Sequence, residues 1–169
     1  MFFVGLGLFN GVSTWIEDII RPRGFTISQA GLLGGLMLIG AILGAVVMSM
    51  LSDKLRRRKP FIVLALAGLL PGLLGMTYAT SYGLLLLSGF IFGFFLLSAG
   101  PIGFQYAAEI THPAPEGTSN TLLIVMGQIS GIAFIFAMDA LKSPATGAMT
   151  ASLLGLAGLT VVCVLLATR

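Results

Sequence analysis

PIGFQYAAEITHPAPEGTS, residues Pro101 to Ser119, is the stretch on which the reading of this chain turns. It closes a long apolar run and sets Gln105, Tyr106, Glu109, His112 and Glu116 among prolines. In a water-soluble protein this would be an ordinary helix end. Beside an apolar run long enough to cross a bilayer, a carboxylate is costly to keep and marks a functional position.

The rest of the composition puts that run in lipid. Of 169 residues 57% are hydrophobic and 9% charged, against about 25% charged in soluble domains. So few charges cannot clothe a soluble surface. The net charge of +3 gives no nucleic-acid footprint, because the cations cluster in one short loop. Cys163, the lone cysteine, excludes an intrachain disulfide and suits a small residue facing lipid or a neighbouring helix. No nucleophile–base pair, phosphate loop or metal-ligand cluster is present, so neither an enzyme nor a cofactor is expected.

Glycine is the second signal, at 23 residues. Small residues let membrane helices approach closely where apolar side chains gain little by leaving lipid. Pairs at four-residue spacing recur as Gly7/Gly11, Gly31/Gly35, Gly40/Gly44, Gly68/Gly72, Gly89/Gly93 and Gly127/Gly131. They predict a tightly packed bundle.

A spanning helix needs about 20 apolar residues, and six runs meet that measure. They cover Phe2–Ile20, Ile27–Leu51, Phe61–Tyr78, Tyr82–Ile110, Thr118 or Ser119 to Leu141, and Gly147–Thr168. Ser28 is the expected cap of the second run and Thr118 or Ser119 that of the fifth. Pro71 predicts a kink in the third, and the long fourth should tilt, project or bend at Gly100-Pro101. No basic region or cleavage site precedes the first run, so a signal peptide is not expected. The fold class is therefore an all-α membrane protein, residues 1–169 forming a single bundle of six transmembrane helices.

Lys54, Arg56, Arg57, Arg58 and Lys59 share the second loop. The positive-inside rule then predicts a multi-pass protein of the cell membrane with both termini cytoplasmic. Arg169 joins these five inside, against Arg21, Arg23 and Lys142 outside.

The Pro101–Ser119 block closely resembles the P-x-G-F-x-x-A-x-E-I-T-x-P-x-x-E-G-T-S block of the transporters related to the feline leukaemia virus subgroup C receptor. Those transporters are a branch of the major facilitator superfamily. Pro101, Gly103, Phe104, Ala107, Glu109, Ile110, Thr111, Pro113, Glu116, Gly117, Thr118 and Ser119 carry the match. The resemblance continues along the chain. It implies the C-terminal six helices, 7 to 12, of a twelve-helix fold whose N-terminal half is absent from this sequence.

The loop from Asp53 is similar to the superfamily signature G-x-x-x-D-R/K-x-G-R-R-x-R/K through Asp53, Lys54, Arg57 and Arg58, with Ser49 and Arg56 in place of its two glycines. One reading is an anchor on anionic lipid. The other is a gate, in which Arg57 and Arg58 with Asp53 hold Glu109, an acid at a helix C-terminus that wants a cationic partner.

Candidate substrate contacts are Asn10, Trp15, Gln105 and Gln128. Gln105 lies one turn before Glu109, where the family commonly has an acid. Asn10, in the block Gly7–Thr14, falls where the family's amine-binding members carry an aromatic. Trp15 could replace that ring or sit as an interfacial belt residue. Gln128 lies near the middle of an apolar helix and matches the family's eleventh helix; it is a substrate contact or an interhelical hydrogen bond. Asp139 is expected to reach water or Lys142, and Glu17, Asp18, Arg21 and Arg23 to form a solvated helix end.

The resemblance implies half of a secondary active or facilitative transporter working by alternating access. Its partner would be an N-terminal half or a second copy, and its substrate a small polar solute, choline- or ethanolamine-like rather than haem. A short protein that dimerises, or a non-transporting scaffold or fragment, remains the alternative.

Overall fold

The computed structural model describes residues 2–144 and 146–168, so Arg169, counted among the inside charges, lies outside the described residues. Regular structure among them is entirely helical, as a lipid-embedded backbone requires. The helices are α1 (Phe2–Thr14), α2 (Ile16–Ile20), α3 (Ile27–Leu55), α4 (Lys59–Tyr78), α5 (Tyr82–Thr111), α6 (Glu116–Ala140) and α7 (Thr150–Thr168), with a 3-10 turn at Arg21–Arg23.

Five of these, α3 to α7, are long and apolar enough to cross a membrane. The expected first span differs. It divides at Trp15, whose φ of −97° and ψ of 14° depart from the helix, and α1 alone, with 13 residues, rises only about 20 Å. Hydrogen bonds still bridge the break, from Trp15 N–H to the Gly11 carbonyl at 3.1 Å and from Ile19 N–H to the Trp15 carbonyl at 2.9 Å. The cause is tertiary, because the Trp15 indole donates to the Ile135 carbonyl of α6 at 3.1 Å.

Helix ends follow local chemistry. Thr26, not Ser28, caps α3 in a capping box: Gln29 N–H donates to Thr26 Oγ1 at 3.4 Å and Thr26 N–H to Gln29 Oε1 at 2.8 Å. α6 starts at Glu116 behind Pro115, ahead of the expected Thr118 or Ser119. The Ser119 hydroxyl instead lies 2.8 Å from that of Thr111, joining the ends of α5 and α6. α4 and α5 run continuously through Pro71 and Pro101.

α3 ends on Arg56, held left-handed at φ 51° and ψ 34°. This is the position where the loop signature has its second glycine, and the geometry gives the reason: the cap suits a residue without a Cβ. Arg56→Gly should therefore raise stability by about 1 kcal/mol, the left-handed strain outweighing the entropy that glycine adds to the unfolded chain. Thermal unfolding in detergent checks this; a lower midpoint would contradict it.

Five of the six glycine pairs are contacts. Gly40 and Gly44 of α3 abut the Phe90 and Phe94 carbonyls of α5, while Gly89 and Gly93 of α5 abut Leu33 and Met37 of α3. Gly68 and Gly72 seat α4 on Phe95 and Phe92. Gly7 and Gly11 seat α1 on Phe134 and Met138 of α6, and Gly127 and Gly131 receive Leu6 and Asn10 in return. Gly31/Gly35 is open. α7 packs on α4 and buries Cys163 against the bundle rather than facing it to lipid. Leu8, Leu33, Leu73, Leu85 and Phe92 form the fully buried centre.

Candidate functional site

The α1–α6 seam brings two of the four candidate substrate contacts together. Because α1 and α6 close on glycines, Asn10 lies directly on Gly131. Its Nδ2 donates to Gln128 Oε1 at 3.4 Å. Among the described residues, Asn10 Oδ1 and Gln128 Nε2 have no protein partner, and Gln128 is exposed. One acceptor and one donor are thus presented side by side across the α1–α6 seam. Ser13, one turn beyond Asn10, has a buried hydroxyl with no hydrogen-bond partner. It was not singled out from the sequence, and only the Asn10/Ser13 spacing on one helix face could have pointed to it.

Gln105 belongs elsewhere. Its neighbour Phe104 meets Phe2 with ring centroids 4.6 Å apart and the rings tilted at 45°, and Phe2 is eight residues, about 12 Å along α1, from Asn10. Trp15 is committed to the opposite end of the seam. Its N–H is taken by Ile135, and Lys142 Nζ stands 5.2 Å from its ring centroid, a cation–π contact.

Lys142 also donates to Asp18 Oδ1 at 2.8 Å. Asp139, expected to reach water or Lys142, is exposed and makes no ion pair with Lys142 among the described residues. Asp18 is therefore no part of a simple solvated helix end, and neither is Arg23, which donates to the carbonyls of Thr77 at 2.7 Å and Ala79 at 3.3 Å. Those bonds satisfy the open end of α4, and burial draws the Arg23 pKa below its usual value.

At the basic loop, Arg58 is the hub. Its Nη1 pairs with Asp53 Oδ1, and its Nε and Nη2 both lie 3.4 Å from Glu109 Oε1. The Asp53 carboxylate, then Glu109, raises the Arg58 pKa above its usual value. The loop thus ties the end of α3 to the end of α5. Arg57, expected beside Arg58, is exposed and makes no side-chain ion pair among the described residues; its N–H donates to the Ser52 carbonyl at 3.3 Å.

A family model described as Major Facilitator Superfamily matches residues 1–169. An uncharacterized protein of Archaeoglobus fulgidus is 30% identical over 169 residues, covering 99% of this chain and 75% of that protein. Choline/ethanolamine transporter FLVCR1 of Felis catus is 32% identical over 142 residues, 81% of this chain and 25% of that transporter. Solute carrier family 49 member A3 of Xenopus tropicalis is 27% identical over 155 residues, 85% of this chain and 30% of the carrier. The chain thus spans between a quarter and a third of these animal relatives.

Proposed function

The chain belongs to the Major Facilitator Superfamily, and on that premise we propose that it is one six-helix half of a transporter for a small polar solute. The observation that carries this is the Asn10–Gln128 amide pair, which leaves one acceptor and one donor unclaimed on the α1–α6 seam. Transporters of this superfamily hold substrate between two six-helix halves that rock against each other. A facing half would close over the pair.

A relative named as a choline/ethanolamine transporter suggests an amino-alcohol. The amide pair favours the primary amine. An ammonium with N–H bonds can donate to Asn10 Oδ1 while its hydroxyl accepts from Gln128 Nε2. A quaternary ammonium relies on aromatic faces, worth about 0.5–2 kcal/mol each, and Asn10 stands where the resembling family has one of them.

The facing half is an N-terminal partner, or a second copy of this chain. The second reading draws on the archaeal relative: the match covers 75% of it, and the remaining quarter is too short for another bundle of this size. Uptake of labelled ethanolamine into liposomes tests the proposal. The chain held monomeric should show no saturable uptake, and the chain joined to a facing half, or dimerised, should show it. Saturable uptake by the monomer would refute the half-transporter reading.

The Arg58–Glu109 contact acts as a gate on the face bearing the basic loop. Glu109→Gln should weaken closure there by about 0.3–1 kcal/mol, the scale of exposed ion pairs. In the assembled transporter, thiol probes applied from that face should label cavity cysteines several-fold faster. Unchanged labelling with a collapse of substrate affinity would move Glu109 into the binding site.

A further inference from the structure

One opening in the bundle is lined by neither residue of the amide pair. A groove of about 660 Å³ is lined mainly by α1, α4 and α5, with Ala45 of α3 and Leu123 of α6, and the Tyr106 phenol is its one polar side chain among the described lining residues. Its α4 wall is Ile62, Leu66 and Leu69, and its α5 wall runs from Leu97 through Phe104 and Ala107 to Ile110. Leu66 and Leu69, 2% and 1% exposed, form the floor, while Ile110, 64% exposed, stands at the mouth. Such walls offer a polar solute nothing. They suit a hydrocarbon chain.

Length and charge select the occupant. Leu97 and Ile110 are thirteen residues apart on α5, about 20 Å at 1.5 Å per residue, comparable with the roughly 15 Å depth of one leaflet's hydrocarbon. The mouth opens at the basic loop: Ile62 N–H donates to the Arg58 carbonyl at 3.1 Å, and Ile110 follows Glu109, which Arg58 holds. Arg58 pairs with both Asp53 and Glu109, which leaves the trio one net negative charge. Lys54, Arg56, Arg57 and Lys59 are exposed and in no ion pair among the described residues. Lys59 lies one turn before Ile62, on the α4 face that lines the groove. An apolar slot of leaflet depth therefore ends under uncompensated positive charge.

We propose that this groove binds an anionic phospholipid, one acyl chain lying against Leu66, Leu69 and Phe104 and the phosphate meeting Lys59 and its basic neighbours. The site is separate from the Asn10–Gln128 pair and stands whether or not that pair binds substrate. Juxtamembrane cations each contribute about 1 kcal/mol toward anionic lipid, so each removed should lower the preference about fivefold.

The test places the full chain in phosphatidylcholine nanodiscs doped with phosphatidylglycerol or phosphatidylcholine carrying a mid-chain diazirine. The phosphatidylglycerol probe should crosslink to the 62–69 and 97–110 segments well above the phosphatidylcholine probe. Ala107→Phe, which fills the groove, should abolish those crosslinks. The exposed pair Arg57→Gln with Lys59→Gln should lower the preference more than tenfold, and it keeps the test alive if Ala107→Phe does not fold. Equal crosslinking by the two probes, crosslinks confined to the outward faces of α3 and α6, or preference retained in the double variant would each overturn the proposal. So would loss of the crosslinks on adding a facing half, since a helix of that half would then be the occupant.

Discussion

Gly93→Ala is expected to destabilise the bundle by about 3 kcal/mol or more, the upper range of overpacking effects, and to leave little folded chain in detergent extracts. A Cβ at Gly93 would fall on the Met37 carbonyl, and one at Gly44 on the Phe94 carbonyl. The obstacle in both directions is backbone, which no rotamer change can move aside. Separating α3 from α5 would also undo the contact on which both helices depend, because in lipid close packing is what holds helices together. Gly31→Ala supplies the control. Its Cβ meets nothing within 4 Å, and alanine is the better helix former, so stability should hold or rise by up to about 1 kcal/mol. Thermal unfolding of both variants in one detergent decides the matter. A wild-type midpoint for Gly93→Ala would mean that the α3–α5 seam is looser than its geometry.

The contrast between these glycines also bounds what the sequence could show. Four-residue spacing marks Gly31/Gly35 and Gly89/Gly93 alike, yet only the second pair touches a neighbour. The five long helices are legible because roughly 20 apolar residues between polar breaks leave the backbone one solution in lipid. Their ends are less so. Thr26 outcompetes Ser28 because Gln29 answers it from the third helical position, a pairing that the cap residue alone does not reveal. The break at Trp15 has no proline or glycine to announce it, since it depends on a carbonyl 120 residues away.

The charged contacts divide the same way. Glu109 and the basic loop could be paired from the sequence because a helix dipole and a cluster of cations both point to an ion pair. Arg58 rather than Arg57 makes it, a choice fixed by how the chain turns through the left-handed Arg56. Lys142 reaches Asp18 rather than the nearby Asp139, and Arg23 reaches the end of α4. Neither contact leaves a mark in local spacing, because the partners meet only when α2, the Arg21–Arg23 turn, α4 and the end of α6 are assembled.

In the assembled transporter, Gln128→Ala is expected to weaken equilibrium binding of ethanolamine about tenfold or more while the unfolding midpoint changes little. Two magnitudes separate these effects. Interhelical hydrogen bonds within membranes average about 0.6 kcal/mol. The Asn10–Gln128 bond is long at 3.4 Å and lies on an exposed face, which puts it at the small end. The Gln128 bond to the ligand hydroxyl is worth about 0.5–1.5 kcal/mol and the Asn10 bond to the ammonium about 1.5–3 kcal/mol, and each 1.4 kcal/mol is about tenfold in affinity. A ligand bridging both amides would lose Gln128 directly, and would lose the orientation of Asn10 once its neighbour is gone. The double variant with Asn10→Ala should therefore cost less than the sum of the two single variants. If instead Gln128→Ala lowers the midpoint by several degrees and the surviving protein binds ethanolamine as before, the amide pair is a clasp between α1 and α6. The substrate site would then have to be sought elsewhere on the bundle.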